Sequence, residues 1–262
     1  MNYGNDSDIF YYAGGKASLI NQYLYTQLIF LLDAGSDVSR LERIFAILRD
    51  SFFRIMILGI KVTIPLTIAS FILAFIISVV VAFIQYANVP VLKQIARIYI
   101  WIIRGTPVLV QLYVVFYGLP SVGIMLDAIP AAILVFGFNE GAYMAESMRG
   151  ALESVPKGQV EAGYCVGMSY LQIMMRIVLP QALRIAFPSL SNSLISMVKG
   201  TSMAATITVV EMFREAQIIN AVYYEPLWLY LEAAFFYLMI CTILTWIQGY
   251  GERKLNTYGG VK

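Results

Sequence analysis

Long uncharged apolar stretches alternate with short polar joints along most of the chain. No Asp, Glu, Lys or Arg lies between Lys61 and Lys93, and residues 62–86 form one apolar run. A helix needs about 20 apolar residues to cross the hydrocarbon core of a bilayer, so this run predicts a transmembrane helix. Asn88 and Pro90 follow it and predict a tight turn.

Four further segments have the length of a span, although three of them contain ionisable residues. Glu140 and Glu146 lie in the third predicted span, Lys199 lies near the centre of the fourth, and Glu232 lies in the first turns of the fifth. Five spans place the two chain ends on opposite sides of the membrane. A shorter apolar stretch, residues 19–32, contains three amide side chains and is interpreted as an interfacial or packed helix, with a further span as the alternative. The second to fifth predicted spans are residues 105–125, 128–148, 185–210 and 227–249.

Composition supports a helical integral membrane protein. Hydrophobic residues make up 60% of the chain, charged residues only 13%, and the mean hydropathy is +0.73. Soluble domains contain about 25% charged residues, so soluble enzymes, disordered proteins and nucleic-acid binders fit poorly, and the net charge of +2 gives no attraction to nucleic acid. The chain has no His, and Cys165 and Cys241 form neither a zinc nor a disulfide pattern. No metal site is predicted.

Basic residues predict the orientation in the membrane. They cluster in the joint after the first span, between the third and fourth spans, and in the tail, which places these segments and the C-terminus in the cytoplasm and the N-terminus outside. Residues 40–61 disagree, because they carry five basic residues on the side predicted to be outside. Apolar residues recur there at helical spacing, which predicts an amphipathic helix with its basic residues toward the lipid headgroups. A solvated charged face on an N-terminal helix is the alternative.

The segment between the third and fourth spans, residues 149–183, is too polar to cross a membrane but has apolar residues at helical spacing. Ser154 is expected to cap a turn near Pro156, and residues 160–166 are expected to form a short helix. Gly167 is expected to end that helix with a positive φ, and a second helix follows until Pro180 interrupts it. Two short helices joined at Gly167 would form a compact protrusion that suits insertion into a groove of a cytoplasmic partner. An ordinary amphipathic connector is the alternative.

The same segment carries a family resemblance. Glu161, Ala162 and Gly163, followed at fixed spacing by Gly167, Ile177 and then Leu179-Pro180, resemble the EAA motif of ABC importer permeases. Gly163 departs from the Ala that is usual in the family. Residues 104–107 with 111–112, 155–159, 179–184 and 199–202 resemble the polar amino-acid branch. Residues 188–199, 204–207, 211–217, 118–120, 123–124 and 127–130 are most similar to the cystine permeases.

The resemblance implies an all-α type I ABC importer permease with about five core helices. It covers residues 52–256, preceded by an N-terminal extension over residues 1–51 and followed by a cytoplasmic tail over residues 257–262. Two permease chains, an identical pair being expected, would form the pathway in the bacterial cell membrane, an ATPase dimer would dock on the EAA segment, and an extracytoplasmic binding protein would deliver the amino acid. No GxxxxGK[ST] loop occurs in the chain, so ATP and Mg²⁺ would be bound by the ATPase, with no cofactor on this chain and no catalysis by it.

L-Cystine is the substrate that the resemblance favours, with glutamine, arginine or histidine as alternatives. A secondary transporter driven by an ion gradient and an integral membrane enzyme are less compatible with the sequence, because it has no internal inverted repeat and no catalytic cluster. An amino acid needs an acceptor for its ammonium group and donors for its carboxylate. Glu140 could supply the acceptor, and Asn192, Ser196 or Lys199 the donors, with Asn139 and Tyr143 as further pathway candidates beside Glu140. The alternative is that Glu140 and Lys199 pair structurally between helices or sit near the membrane interfaces.

Overall fold

Helices account for all the regular secondary structure in the part of the chain that this computed structural model describes, residues 40–87 and 89–257. The predicted all-α membrane fold is confirmed. Four helices in this part are long and apolar enough to cross a membrane, or five if one bent pair counts as a single span. The stretch 19–32 and the tail residues 258–262 lie outside the described residues. The helices are α1 (Arg40–Leu58), α2 (Ile64–Tyr86), α3 (Pro90–Gly105), α4 (Val108–Tyr113), α5 (Ala128–Glu153), α6 (Lys157–Cys165), α7 (Tyr170–Ile173), α8 (Leu179–Gly200), α9 (Met212–Tyr223) and α10 (Pro226–Thr257).

The basic segment before the first predicted span is helical, but it is not a separate helix. A π-helical turn, Gly59–Thr63, joins α1 to α2, so that one helix runs from Arg40 to Tyr86. The buried face of α1 includes Ile44, Ile47 and Ile55 and packs against α9 and α10. Charged side chains within this continuous helix explain why the sequence pattern started the first span at residue 62.

The second predicted span differs most from the structure. Residues expected to form a polar joint fold into the amphipathic helix α3, and the chain then bends by 100° into Val108–Val122, which comprises α4, a π turn and a 3₁₀ turn. Thr106 has extended backbone angles because Pro107 disfavours the helical conformation in the residue before it. The 100° bend therefore falls at the start of the predicted span.

A closely packed parallel pair, α2 and α5, forms the centre of the bundle. Gly137 lies against Leu73, and Gly141 against Ile77 and the backbone oxygen of Ala74. Small residues allow two membrane helices to approach closely and gain van der Waals contact, which drives their association where the hydrophobic effect is absent. The opposite face of α2 presents large aliphatic side chains that suit contact with lipid: Ile68, Ile72, Ile76 and Val80.

The remaining long helices run beside this pair in alternating directions. The hydroxyl of Ser189 in α8 donates to that of Ser147 in α5, 2.8 Å away, while Ala204 and Ile207 beyond α8 pack beside the start of α5. These contacts make α8 antiparallel to α5, and the contact of Phe187 with Gly251 makes α10 antiparallel to α8. The fourth predicted span starts too late and ends too late, because helical structure extends from Tyr170 to Ile207. Lys199 consequently lies in the last turn of α8 and not near the centre of the span.

Buried ionic and hydrogen-bonded groups fix α9 at the end of the bundle away from α6. The fully buried Glu211 caps α9 by accepting from the backbone N–H groups of Phe213 and Arg214, and it accepts a 2.5 Å hydrogen bond from the Tyr237 hydroxyl. Burial raises the pKa of Glu211, although these three donors oppose the rise. Arg54 of α1 lies 2.6 Å from Glu215 of α9 and ties the two helices together.

Candidate functional site

Two clusters contain the predicted functional residues: the α6 segment at one end of the bundle, and a polar face within it. In the first cluster, helix α6 begins three residues before the expected start. Ser154 does not cap α6, because it ends α5 and its hydroxyl donates to the Ala151 oxygen at 2.8 Å, whereas Pro156 occupies the N-cap position. Gly167 has a φ of 77°, which confirms the expected left-handed turn.

The helix after this turn starts with a reciprocal cap. Ser169 and Gln172 form a capping box in which the Gln172 side chain accepts from the Ser169 N–H at 2.9 Å. Pro180 does not interrupt the helix as expected. The π turn Met174–Val178 precedes it, and helical structure continues through Pro180 into α8.

The EAA residues divide into an exposed face and a buried one. Glu161 and Ala162 are exposed, and so are the apolar side chains of Tyr164, Val166 and Leu171 beside them. Gly163 is buried, and a β-carbon placed on it would lie 2.7 Å from Cγ1 of Ile173. The two short helices therefore pack closely on each other while their outer surface remains apolar and uncovered in the single chain.

Apolar packing anchors this segment to the bundle. Ile173, Met174 and Val178 are buried with Met148 and Leu152 of α5. Leu179 is half-buried and Pro180 is exposed at the start of α8. A force applied to α6 is therefore transmitted through close-packed side chains to both α5 and α8.

A network of charged groups, which sequence reasoning did not identify, lies beside this anchor. Arg149 contacts the carboxylates of Glu146 at 3.1 Å and Glu153 at 2.8 Å, and Gln85 of α2 donates to Glu146 at 3.2 Å. From the sequence, Glu146 had been noted only as an ionisable residue within the third predicted span. Its spacing of three residues from Arg149 on one helix was the available signal.

The second cluster contains the predicted pathway residues. On α8, Asn192, Ser196 and Lys199 are exposed on one face together with Ser189, at spacings of three and four residues. Asn192 accepts a hydrogen bond from Gln248 of α10 at 3.2 Å. A membrane helix that exposes a polar stripe of this length cannot bury it in lipid at low cost.

The three predicted residues on α5 lie in two different environments. Glu140 is half-buried and lies close to the Ser193 side chain of α8. Among the described residues it forms no ion pair with Lys199, so the structural pairing considered from the sequence is not seen. Asn139 donates to the Gln111 side chain at 3.1 Å, and the Tyr143 ring lies 5.0 Å from the guanidinium carbon of Arg104.

Asn139 and Tyr143 thus contact the bend between α3 and α4. Gln111 also donates to the Ile103 oxygen at 2.9 Å and to the Thr106 hydroxyl at 2.8 Å, so that it satisfies groups left without helical partners where α3 ends. Glu140 therefore lies close to the α8 stripe, whereas Asn139 contacts Gln111 at the bend between α3 and α4. Gln111 had appeared only as part of a family motif.

The comparisons with known proteins agree with this architecture. Residues 74–257 match the family described as binding-protein-dependent transport system inner membrane component. The chain belongs to this family. It is 44% identical over 81% of its length to the L-cystine transport system permease protein TcyB of Bacillus subtilis (strain 168), of which 91% is covered. It is also 34% identical, over 75% of its length and 85% of the relative, to TcyL, another L-cystine transport system permease protein of that organism.

Solved structures show the same fold for this permease. The crystal structure of an amino acid ABC transporter with histidines superposes with a TM-score of 0.72 at 29% identity, covering 79% of this chain and 96% of that chain. An inward-facing structure of the MetNI methionine ABC transporter gives a TM-score of 0.61 at 20% identity, covering 74% and 92% of the two chains. The second likeness concerns the fold alone.

Proposed function

We propose that this permease is the membrane subunit of an ATP-driven amino-acid importer and that L-cystine is its substrate. The observation that carries the proposal is the 44% identity, over most of both chains, with an L-cystine transport system permease protein. A second relative with the same substrate in its name supports it. Relatives named for arginine, at 38% identity, and for glutamine, at 39%, keep these amino acids as competing substrates.

The polar stripe on α8 and the carboxylate of Glu140 line the proposed pathway. Cystine carries two ammonium and two carboxylate groups, so its pathway needs both acceptors and donors. Glu140 supplies a negative acceptor, while Lys199, Asn192 and Ser196 supply donors. The stripe is polar and exposed on a spanning helix, which suits a water-filled pathway formed with a second copy of the chain.

The α6 segment is the proposed docking site for the ATPase dimer, which would bind ATP and Mg²⁺. Its exposed apolar side chains Tyr164, Val166 and Leu171 suit a groove on a protein partner. Closure of the ATPase dimer would displace α6, and the packing of Ile173 and Met174 on α5 would pass that displacement to the pathway helices. Glu161, exposed in the middle of α6, would contact the ATPase directly.

We propose that the α6 end of the bundle is cytoplasmic and that the permease resides in the bacterial cell membrane. Arg149, Lys157, Arg176, Arg184 and Lys254 all lie near this end, as the positive-inside rule requires. The C-terminus would then be cytoplasmic, the N-terminus would be outside, and the extracytoplasmic binding protein would approach the end that carries α9.

Reconstitution in lipid vesicles tests the assignment. The permease, its ATPase and its binding protein should accumulate labelled cystine in an ATP-dependent manner, and unlabelled cystine should compete better than arginine or glutamine. Stronger competition by arginine or glutamine would refute cystine as the substrate. Uptake without the ATPase, driven by an ion gradient, would refute the importer assignment.

Two variants separate the pathway from the coupling segment. Glu140→Gln should lower cystine uptake while basal ATP hydrolysis persists, because only the acceptor charge is removed. Glu161→Lys should abolish uptake and also the stimulation of the ATPase by the loaded binding protein, with Glu42→Lys, an exposed position on α1, as the matched control. If Glu140→Gln lowers both activities equally, Glu140 is structural.

A further inference from the structure

Two adjoining cavities, together called the groove, lie between α2, α8 and α10, and most of their α8 residues point away from the polar stripe. The inner part of the groove is a cavity of about 370 Å³ whose lining is almost entirely apolar and includes Phe71 of α2, Leu194 of α8 and Leu244 of α10. A second cavity of about 440 Å³ continues it toward the α6 end of the bundle. Leu183 and Phe187 line both cavities, so these two side chains lie where the cavities adjoin.

The helical register separates this groove from the pathway. Successive residues in a helix are about 100° apart, so Phe187 points about 160° away from Ser189 around α8. Most groove residues of α8 therefore face away from the stripe, and the two surfaces meet at Gln248, which lines the groove and donates to Asn192. The Phe187 ring packs against Gly251 where the two cavities adjoin, since a β-carbon there would lie 2.6 Å from the ring.

The groove changes from apolar to cationic at one end. The exposed side chains of Arg184 and Lys254 line the cavity nearest the α6 end. From Lys254 to Leu244 along α10, and from Arg184 to Leu194 along α8, the helices rise roughly 15 Å, which is half the thickness of a hydrocarbon core. The two cations thus lie about one acyl-chain length from the deepest part of the groove.

We propose that this groove binds one phospholipid with an anionic headgroup in the leaflet at the α6 end. Its phosphate is held by Arg184 and Lys254, and an acyl chain occupies the cavity lined by Phe71, Leu194 and Leu244. Charge complementarity selects the headgroup, since a basic residue near an anionic lipid contributes about 1 kcal/mol, or about fivefold in affinity. The groove's length and apolar lining suit the acyl chain of the lipid.

Native mass spectrometry of the purified full-length chain tests the site. The chain is incubated with phosphatidylglycerol or phosphatidylcholine, and the lipid retained per chain is counted. Phosphatidylglycerol should be retained preferentially, and Arg184→Gln and Lys254→Gln should each weaken its binding by about fivefold. Equal retention of the two lipids, or no effect of either variant, would overturn the proposal.

Two further variants test whether the lipid binds in this groove or responds only to the charge of the protein. Arg253→Gln removes the same charge from the next residue of α10, which does not line the groove, and should leave retention unchanged. A loss equal to that of Lys254→Gln would show a general charge effect and contradict a defined site. Leu194→Trp should fill the apolar part and displace the lipid without changing the charge.

The same spectra distinguish the main competing occupant, a second copy of the chain. If Arg184→Gln and Lys254→Gln lower the dimer fraction and leave lipid retention unchanged, the groove is an interface between copies and the lipid site is refuted.

Discussion

Gly163 stands where the family motif usually has Ala. The Gly163→Ala substitution therefore tests whether the packing around this position requires a glycine. A β-carbon at Gly163 would lie 2.7 Å from Cγ1 and 3.0 Å from Cδ1 of Ile173. Carbon atoms in ordinary contact are about 3.5–4.0 Å apart, so one side must move by roughly 0.8 Å. Ile173 is fully buried in the core that anchors the segment, which leaves it little room to move.

Two opposing effects set the size of the change. Overpacking a buried site costs about 1–3 kcal/mol, whereas replacing Gly by Ala within a helix stabilises it by about 0.5–1 kcal/mol. Only rotation about χ1 would move Cγ1 away, and that rotation is restricted for a buried β-branched residue in a helix. We therefore expect Gly163→Ala to destabilise the protein by about 1–2 kcal/mol net and to lower its melting temperature by about 2–8 °C.

A double-mutant cycle measured by thermal unfolding in detergent isolates the contact. In the Ile173→Ala background the space is vacant, so Gly163→Ala should be neutral or stabilising there, with a coupling energy of about 1–3 kcal/mol. Reconstituted uptake should follow the same pattern. The reasoning is wrong if Gly163→Ala raises the melting temperature equally in both backgrounds.

Three further predictions concern packing, ionisation and the bend between α3 and α4. Gly137→Val should destabilise the α2–α5 pair by about 1–3 kcal/mol, because its β-carbon would lie 2.5 Å from Leu73. Gly150→Ala, with nothing within 4 Å, should leave the melting temperature unchanged or raise it slightly. The pKa of Glu211 is raised above its unfolded value by burial, so its contribution to stability is full below the unfolded pKa and is lost as pH rises through the folded pKa. The melting temperature should accordingly fall with rising pH more steeply in the wild type than in Glu211→Gln, and equal slopes would contradict this. Gln111→Leu should cost about 1–3 kcal/mol of stability by leaving the end of α3 without its donors and should slow uptake in vesicles; unchanged uptake would show that the bend has no role in transport.

Hydrophobic patterning predicted the helices that are apolar along most of their length. The span over residues 128–148 matches α5 within a few residues at each end, and the positive φ at Gly167 followed from its position after a short helix. Both features depend on local sequence, either a long apolar run or the conformational freedom of glycine.

Amphipathic helices were harder to recognise. Charged residues at 93, 97 and 104 made α3 resemble a polar joint, although Ala96 and Ile100 repeat at helical spacing and are buried. Similarly, Arg49, Arg54 and Lys61 obscured the continuity of α1 with α2. For α3 the polar face masked the helix itself, whereas the helix over residues 40–61 was predicted and only its junction with α2 was missed.

Contacts between helices could not be predicted from periodicity. The pairing of Glu140 with Ser193, and of Asn139 with Gln111, depends on which faces of α4, α5 and α8 meet and at what register. Two neighbouring residues on α5 therefore have different roles, one beside the pathway stripe and one at the bend.

The position of α8 explains how one helix can link the α6 segment to the proposed pathway. Its first residues follow the π turn that packs with Ile173 in the α6 anchor, and its exposed polar stripe starts at Ser189. Pro188 lies inside the helix directly before that stripe and removes the N–H that would bond to the Arg184 oxygen. Because a missing hydrogen bond is a common site of helix bending, α8 is weakest where its anchored part meets the stripe. A displacement at α6 can therefore reorient Ser189 to Lys199 without disrupting the close packing of α2 against α5.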